Sequence, residues 1–262
     1  MNRIRTLIDK EWAEVFKNKL VLMTVGFLPL VFVVLPLVQL ALTRQVDPSE
    51  MNDAPGNIAR ICALQGLSAA ECLQGYLANS FMVFFLLMPL AIPVTIASYS
   101  IVGEKTTHSL EPLLATPTST AEIILGKALA AVLPAMAATW ISFAIFLIGA
   151  RFLVVSDTVY AAITNPTWLV GMALVAPLLT VLSVNVAIII SSRVNDPRAA
   201  EQLGTLVMLP VLGLFFLQIV GLVALNLTNM LLLGLILIVV DAAMVAVGVK
   251  LFQRETILTR WR

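Results

Sequence analysis

Met230-Leu-Leu-Leu-Gly-Leu-Ile-Leu-Ile-Val-Val240 carries no polar side chain at any position. A membrane strand would alternate apolar and polar residues over about 10 positions, and this run does not. In hydrocarbon the backbone N–H and C=O groups find no water, so an isolated apolar segment satisfies them within itself, as a helix. Followed to Leu251, the run is long enough to cross, since about 20 residues at 1.5 Å rise cover the hydrocarbon core.

Working outward, five further runs of the same kind stand at Leu20–Leu42, Ala78–Ile101, Ile124–Ala150, Trp168–Ser191 and Leu203–Leu225. Composition agrees: 60% of the 262 residues are hydrophobic and 12% are charged, against roughly 25% charged residues in a soluble domain. The expected fold is an all-α integral membrane protein with six transmembrane helices. The first run is too long, and too interrupted by Pro29 and Pro36, for a cleavable signal, so it is expected to be retained.

Lys and Arg accumulate on the cytoplasmic side of a membrane. One side holds Arg3, Arg5, Lys10, Lys17, Lys19, Lys105, Lys127, Arg193, Arg198, Lys250, Arg254, Arg260 and Arg262; the other holds Arg44, Arg60 and Arg151. This asymmetry places both termini in the cytoplasm and requires an even number of spans.

Residues 1–19 precede the first span. Ile4, Leu7, Ile8, Trp12, Val15 and Phe16 recur at helical spacing, with Arg3, Arg5, Asp9, Lys10, Glu14 and Lys17 on the other face. The pattern predicts an amphipathic helix along the inner leaflet, against the plainer reading of a solvated basic lead-in. Residues 43–77 read as the longest outer loop and hold both cysteines, Cys62 and Cys72. A bridge between them would contribute about 2 to 3 kcal/mol; two free thiols are the alternative. Arg151–Thr167 reads as a second, shorter outer connection.

Pro29, Pro36, Pro89, Pro93, Pro134, Pro177 and Pro210 fall inside the expected spans, where each removes a backbone donor and favours a kink. Asn185 and Gln218 read as hydrogen-bonding groups between helices, and Trp140 and Trp168 as packing or interface anchors. Asp241 is the one acidic residue deep within a span. It faces the bundle interior, a cavity or a partner, either binding a cation or sitting neutral against another helix; together with Asn185 it is the candidate substrate or ion path.

Enzyme chemistry is thinly supplied. His108 is the single histidine, which excludes paired-histidine metal motifs, and Asp241 has no second intramembrane acid with which to form a dyad. No metal site is expected. Gly126-Lys127 is the nearest approach to a phosphate-binding loop, but Ala121 stands where its first glycine belongs and Ala128 where magnesium needs Ser or Thr. The chain alone is therefore not expected to hydrolyse ATP.

Between the second and third spans runs Gly103-Glu-Lys-Thr-Thr-His-Ser-Leu-Glu-Pro-Leu-Leu-Ala-Thr-Pro117, continuing to Ile123-Ile-Leu-Gly-Lys127. This loop resembles the hallmark loop of type 2 ATP-binding cassette (ABC) exporter permeases: a Gly-Glu-Lys start, a Leu-Glu-Pro-Leu-Leu-Ala-Thr-Pro core, then an acidic residue, here Glu122, and a Gly-Lys. Thr106, Thr107, His108 and Ser109 depart from the family's usual Glu-Arg-Gly-Thr. The layout of the whole chain, 1–262, is similar to the family's single permease domain.

The resemblance implies that residues 102–123 form a coupling helix docked on a separate ATPase, with Leu110, Leu113 and Leu114 apolar, Glu104 and Glu111 charged, Pro112 and Pro117 stiffening, and Gly103, Lys105 and Thr116 in the same motif. It further implies two ATPase copies that bind ATP and Mg, a second permease forming a homo- or heterodimer, contact with membrane lipid but not nucleic acid, and a place in the plasma (inner) membrane of a bacterium or archaeon. No cofactor is expected in this chain. An ATP-independent ion-coupled carrier or channel using Asp241 is the alternative.

Overall fold

The computed structural model describes residues 2–45, 68–106, 120–220, 222–223 and 225–251. These residues are helical apart from short connections, and among them there is no strand. In chain order the α-helices are α1 (Asn2–Val15), α2 (Lys19–Leu42), α3 (Ala69–Phe81), α4 (Met88–Thr106), α5 (Thr120–Leu153), α6 (Asp157–Ile163), α7 (Pro166–Val170), α8 (Ala176–Arg193), α9 (Pro197–Gly204), α10 (Leu209–Ile219) and α11 (Leu227–Leu251).

Six stretches are long and apolar enough to cross a membrane: Val21–Leu42, Ala70–Glu104, Glu122–Leu153, Asp157–Arg193, Pro197–Ile219 and Leu227–Gly248. Each overlaps one expected span, and the second and fourth exceed theirs most, at 35 and 37 residues. The second begins eight residues before Ala78, because Ser68 and Glu71 form a reciprocal capping box that starts α3. The outer loop expected over 43–77 thus ends sooner. The fourth begins at Asp157, because Ser156 and Asn165 cap α6 and α7 within what reads as loop in the sequence.

Ala70–Glu104 is the centre of the bundle, 89% buried across its apolar core, against 17% for the first and fifth spans and 22% for the last. α4 packs on α8, α5 and α9; α2 lies on α5, and α11 on α8. Phe85, Phe143 and Phe146 fill the middle, with Phe85 ring centroids 5.6 and 5.2 Å from the other two.

The prolines have two effects. Pro89, Pro177 and Pro210 each follow a local change of helical pitch, at Met82–Leu86 (3-10), Gly171–Val175 (π) and Thr205–Met208 (3-10). A proline ring excludes the regular bond to the preceding turn, so the turn tightens or widens to accommodate it. Elsewhere the missing N–H leaves a carbonyl that a neighbouring helix takes up. Pro93 leaves the carbonyl of Pro89, which accepts from Ser183 Oγ at 3.1 Å. Pro134 leaves that of Ala130, which accepts from Trp12 Nε1 at 2.9 Å. In the widened turn, Pro177 leaves that of Met172, which accepts from Trp140 Nε1 at 2.9 Å. Breaks in one helix thereby become joints between two.

At the end of the bundle away from α1, the amide of Gln74 is fully buried. It donates to the carbonyls of Leu40 and Leu153, at 2.8 and 3.2 Å, and accepts from the N–H of Val155 at 2.8 Å. One side chain there ties together the ends of α2, α3 and α5.

Candidate functional site

α1 lies against α5 through a stripe in which Leu7, Glu11 and Val15 are buried. Their spacing, i, i+4 and i+8, puts them on one face. Gly126 makes the approach possible: a Cβ there would lie 3.0 Å from Leu7 Cβ and 3.2 Å from Leu7 Cδ1. Trp12 then reaches the carbonyl freed by Pro134.

The burial of Glu11 on an otherwise apolar stripe demands a counter-charge, and Lys127, the residue after Gly126, supplies it. Lys127 Nζ lies 2.7 Å from Glu11 Oε1 and 2.8 Å from Glu104 Oε2. Glu104 in turn accepts from Lys10 Nζ at 2.8 Å on its other oxygen. The Ser100 hydroxyl donates to Glu11 and accepts from Lys127, the latter at 3.0 Å. The side chains of Glu11, Glu104 and Lys127 are 2, 4 and 7% exposed. Two lysines and two glutamates thus form a cluster of ion pairs joining α1, α4 and α5.

Lys10 is the outermost member, partly open to solvent and 3.8 Å from Glu14. Its partial burial pulls its pKa down, but the hydrogen bond to Glu104 and the fields of Glu104, Glu14 and Glu11 outweigh that and hold it above the ordinary 10.5. Beside the cluster is a cleft of about 260 Å³ lined by Glu14, Val15, Asn18, Tyr99, Ser100, Gly103, Glu104 and Pro197.

The cluster sits at the base of the sequence's most informative loop. α4 ends at Thr106 and α5 starts at Thr120, so Glu104 and Lys127 close the stem of the segment between them with a buried ion pair. Gly103 lines the cleft. Leu110, Glu111, Pro112, Leu113, Leu114, Thr116 and Pro117 lie outside the described residues, as does the side chain of Lys105. The family resemblance implies that Glu104 offers a charged contact for docking; its carboxylate is turned inward to Lys127 and Lys10. Lys10, Glu11, Ser100 and Lys127 join the site on structural grounds. A carboxylate at Glu11, midway between Leu7 and Val15, is the sequence signal that points to them.

The remaining candidates are dispersed. Cys72 is buried in α3, and Cys62 lies outside the described residues. Asn185 donates to the carbonyl of Val181 in its own helix rather than across helices. Gln218 does bond between helices, to the carbonyl of Asn79 at 3.4 Å. Trp168 is buried and donates to Asn79 Oδ1 at 2.6 Å. Asp241 is buried in α11, and neither of its oxygens has a hydrogen-bond partner among the described residues.

A family model described as ABC-2 family transporter protein matches residues 5–235 of the chain. A search of curated proteins finds no match.

Proposed function

The chain belongs to the ABC-2 family of transporter proteins, and from that premise we propose that it is the permease subunit of an ATP-driven exporter. A separate ATPase, in two copies, binds ATP and Mg and hydrolyses the nucleotide. A second permease, identical or homologous, completes the substrate path. Both termini and the loop between α4 and α5 face the cytoplasm of a bacterium or archaeon.

The observation that carries this reading is the buried ion pair between Glu104 and Lys127. A docking loop transmits motion only if its stem does not flex. Here the two helices that leave the loop are joined at its base, and α1 is joined to both. Displacement of the loop by a partner then moves α4 and α5 together. α4 is the most enclosed part of the bundle, so its movement reaches α8 and α9 through direct packing. Leu110, Leu113 and Leu114 would give the partner its apolar contact and Glu111 a charged one, while Glu104 positions the loop from within.

Buried charges are an expensive way to join helices. Each costs several kcal/mol to desolvate, and a well-packed apolar contact is often as stable or more so. Their use at this position suits a joint that must hold one geometry. An ion-coupled carrier working without ATP would have no need of a stiffened loop stem.

Affinity purification of the tagged full-length chain in mild detergent, followed by mass spectrometry, tests the proposal. A stoichiometric ATP-binding subunit supports it. Its repeated absence, under conditions that retain the subunits of a control ABC complex, refutes it.

A further inference from the structure

The seam between α11 and α8 contains a buried carboxyl group for which the described residues supply no partner. Met230, Gly234, Leu237, Asp241 and Gly248 are the buried positions of α11, spaced alternately by three and four until the last, which follows at seven. They form one stripe, and Leu231, Leu235, Ile236, Ile238, Val239 and Val245 on the other faces are exposed. The two glycines stand seven residues either side of Asp241. A Cβ on Gly234 would lie 3.1 Å from Leu174, and one on Gly248 would lie 3.8 Å from Asn185. Asp241 therefore faces α8 between those two levels, about 10 Å along the axis from each glycine.

Asp241 is 6% exposed, and neither carboxyl oxygen has a hydrogen-bond partner among the described residues. No ionisable residue occurs from 166 to 192, which covers α7, the widened turn and all of α8 before Arg193; none besides Asp241 occurs from 227 to 249. Thr180, Ser183 and the Asn185 amide, the polar groups of α8 between those two levels, bond elsewhere; Ser191 Oγ, six residues beyond Asn185, is buried with no hydrogen-bond partner among the described residues. Thr180 bonds to Met136 and to the carbonyl of Ala176, Ser183 to the carbonyl of Pro89, and the Asn185 amide to that of Val181. An aspartate at this depth costs about 2.5 to 3.5 kcal/mol on insertion scales, and no described residue of the seam offsets it.

We propose that Asp241 is a binding site for a lipophilic monovalent organic cation, which supplies the missing counter-charge. The surroundings select this class. Calcium or magnesium requires about six or more oxygen ligands, whereas the seam offers one carboxylate among apolar side chains. An ammonium or phosphonium with an apolar body needs one counter-charge and hydrocarbon contact. Ala242 and Ala243, small and exposed beside Asp241, leave a shallow approach from the bilayer side of α11.

The test uses the full chain in lipid nanodiscs with tetraphenylphosphonium as probe, and empty nanodiscs to subtract partitioning into lipid. Saturable binding that falls about ten-fold or more in Asp241→Asn and stays within a few-fold in Asp241→Glu is the expected result. A hydrophobic carbodiimide, which attacks protonated carboxyls in apolar surroundings, provides the second readout. It should modify Asp241 and be blocked by the probe. Unchanged binding in a folded Asp241→Asn variant, or carbodiimide modification that the probe does not slow, overturns the site; the latter marks a carboxyl that holds only a proton. No ATPase enters the assay, so its outcome is independent of whether the chain works with one.

Discussion

Lys127 Nζ stands 2.7 Å from Glu11 Oε1, across 116 positions of sequence. That contact joins the first helix of the chain to the helix that follows the loop, and it is buried on both sides. Removing one partner strands the other in the interior. Lys127→Met leaves Glu11 and Glu104 without their shared cation and is expected to destabilise the protein by about 3 to 5 kcal/mol. Adding Glu11→Gln and Glu104→Gln should recover much of that loss. Thermal unfolding in detergent reads both; simple additivity of the three changes would contradict a coupled cluster.

Gly126 sets how closely α1 approaches. Gly126→Ala places a methyl 3.0 Å from Leu7 Cβ, so α1 has to shift, and the expected cost is about 1 to 3 kcal/mol. Leu7→Ala in the same chain opens the space and should reduce the additional cost of Gly126→Ala. If the two costs simply add, the close contact is not what Gly126 is for.

Trp12 and Pro134 act on one carbonyl. Trp12→Phe leaves the oxygen of Ala130 without its indole donor and should cost about 1 to 3 kcal/mol. Pro134→Ala restores a backbone N–H in register for that oxygen. The penalty of Trp12→Phe is therefore expected to shrink in the Pro134→Ala background, measured by a double-mutant cycle of unfolding free energies. An equal penalty in both backgrounds would refute the pairing.

The Lys10 contact has a defined pH range. A lysine whose folded pKa is raised contributes its full stabilisation below the unfolded value, 10.5, and loses it as pH rises through the higher folded value. At pH 9 its neutral, reactive fraction is correspondingly small. Acylation with a dilute amine reagent, mapped by mass spectrometry, should modify Lys10 more slowly than the exposed Lys17. Equal rates would mean that the carboxylates around Lys10 do not hold its proton.

The six spans were legible because each is an apolar run of bilayer length, a signal that needs no knowledge of neighbours. Their ends were less so. Ser68 and Glu71 extend the second span outward through a capping box that hydropathy does not register, and Asn165 starts a helix in a polar stretch. Within the site, Glu104 and Lys127 were visible as motif residues, whereas Glu11 was not singled out, although its carboxylate between Leu7 and Val15 was a signal that could have been read. Their mutual contact was not visible, because it depends on α1 lying against α5, which follows from Gly126 and the carbonyl freed by Pro134. The prolines likewise stood out as breaks, but Ser183, Trp12 and Trp140 could be assigned to them only once helices distant in sequence were side by side.

Hydrogen–deuterium exchange of the chain purified with the proposed ATPase tests the proposed coupling most directly. It is read with and without ATP trapped by vanadate, in the wild type and in Glu11→Gln/Glu104→Gln/Lys127→Met. In the wild type, trapping should alter exchange in the loop and also along residues 88–106 and 120–135. In the variant, which keeps the loop sequence and should keep the ATPase, the change is expected to stop at 107–119. The same spread of altered exchange in both proteins would contradict the claim that the buried cluster carries motion from the loop into the spans.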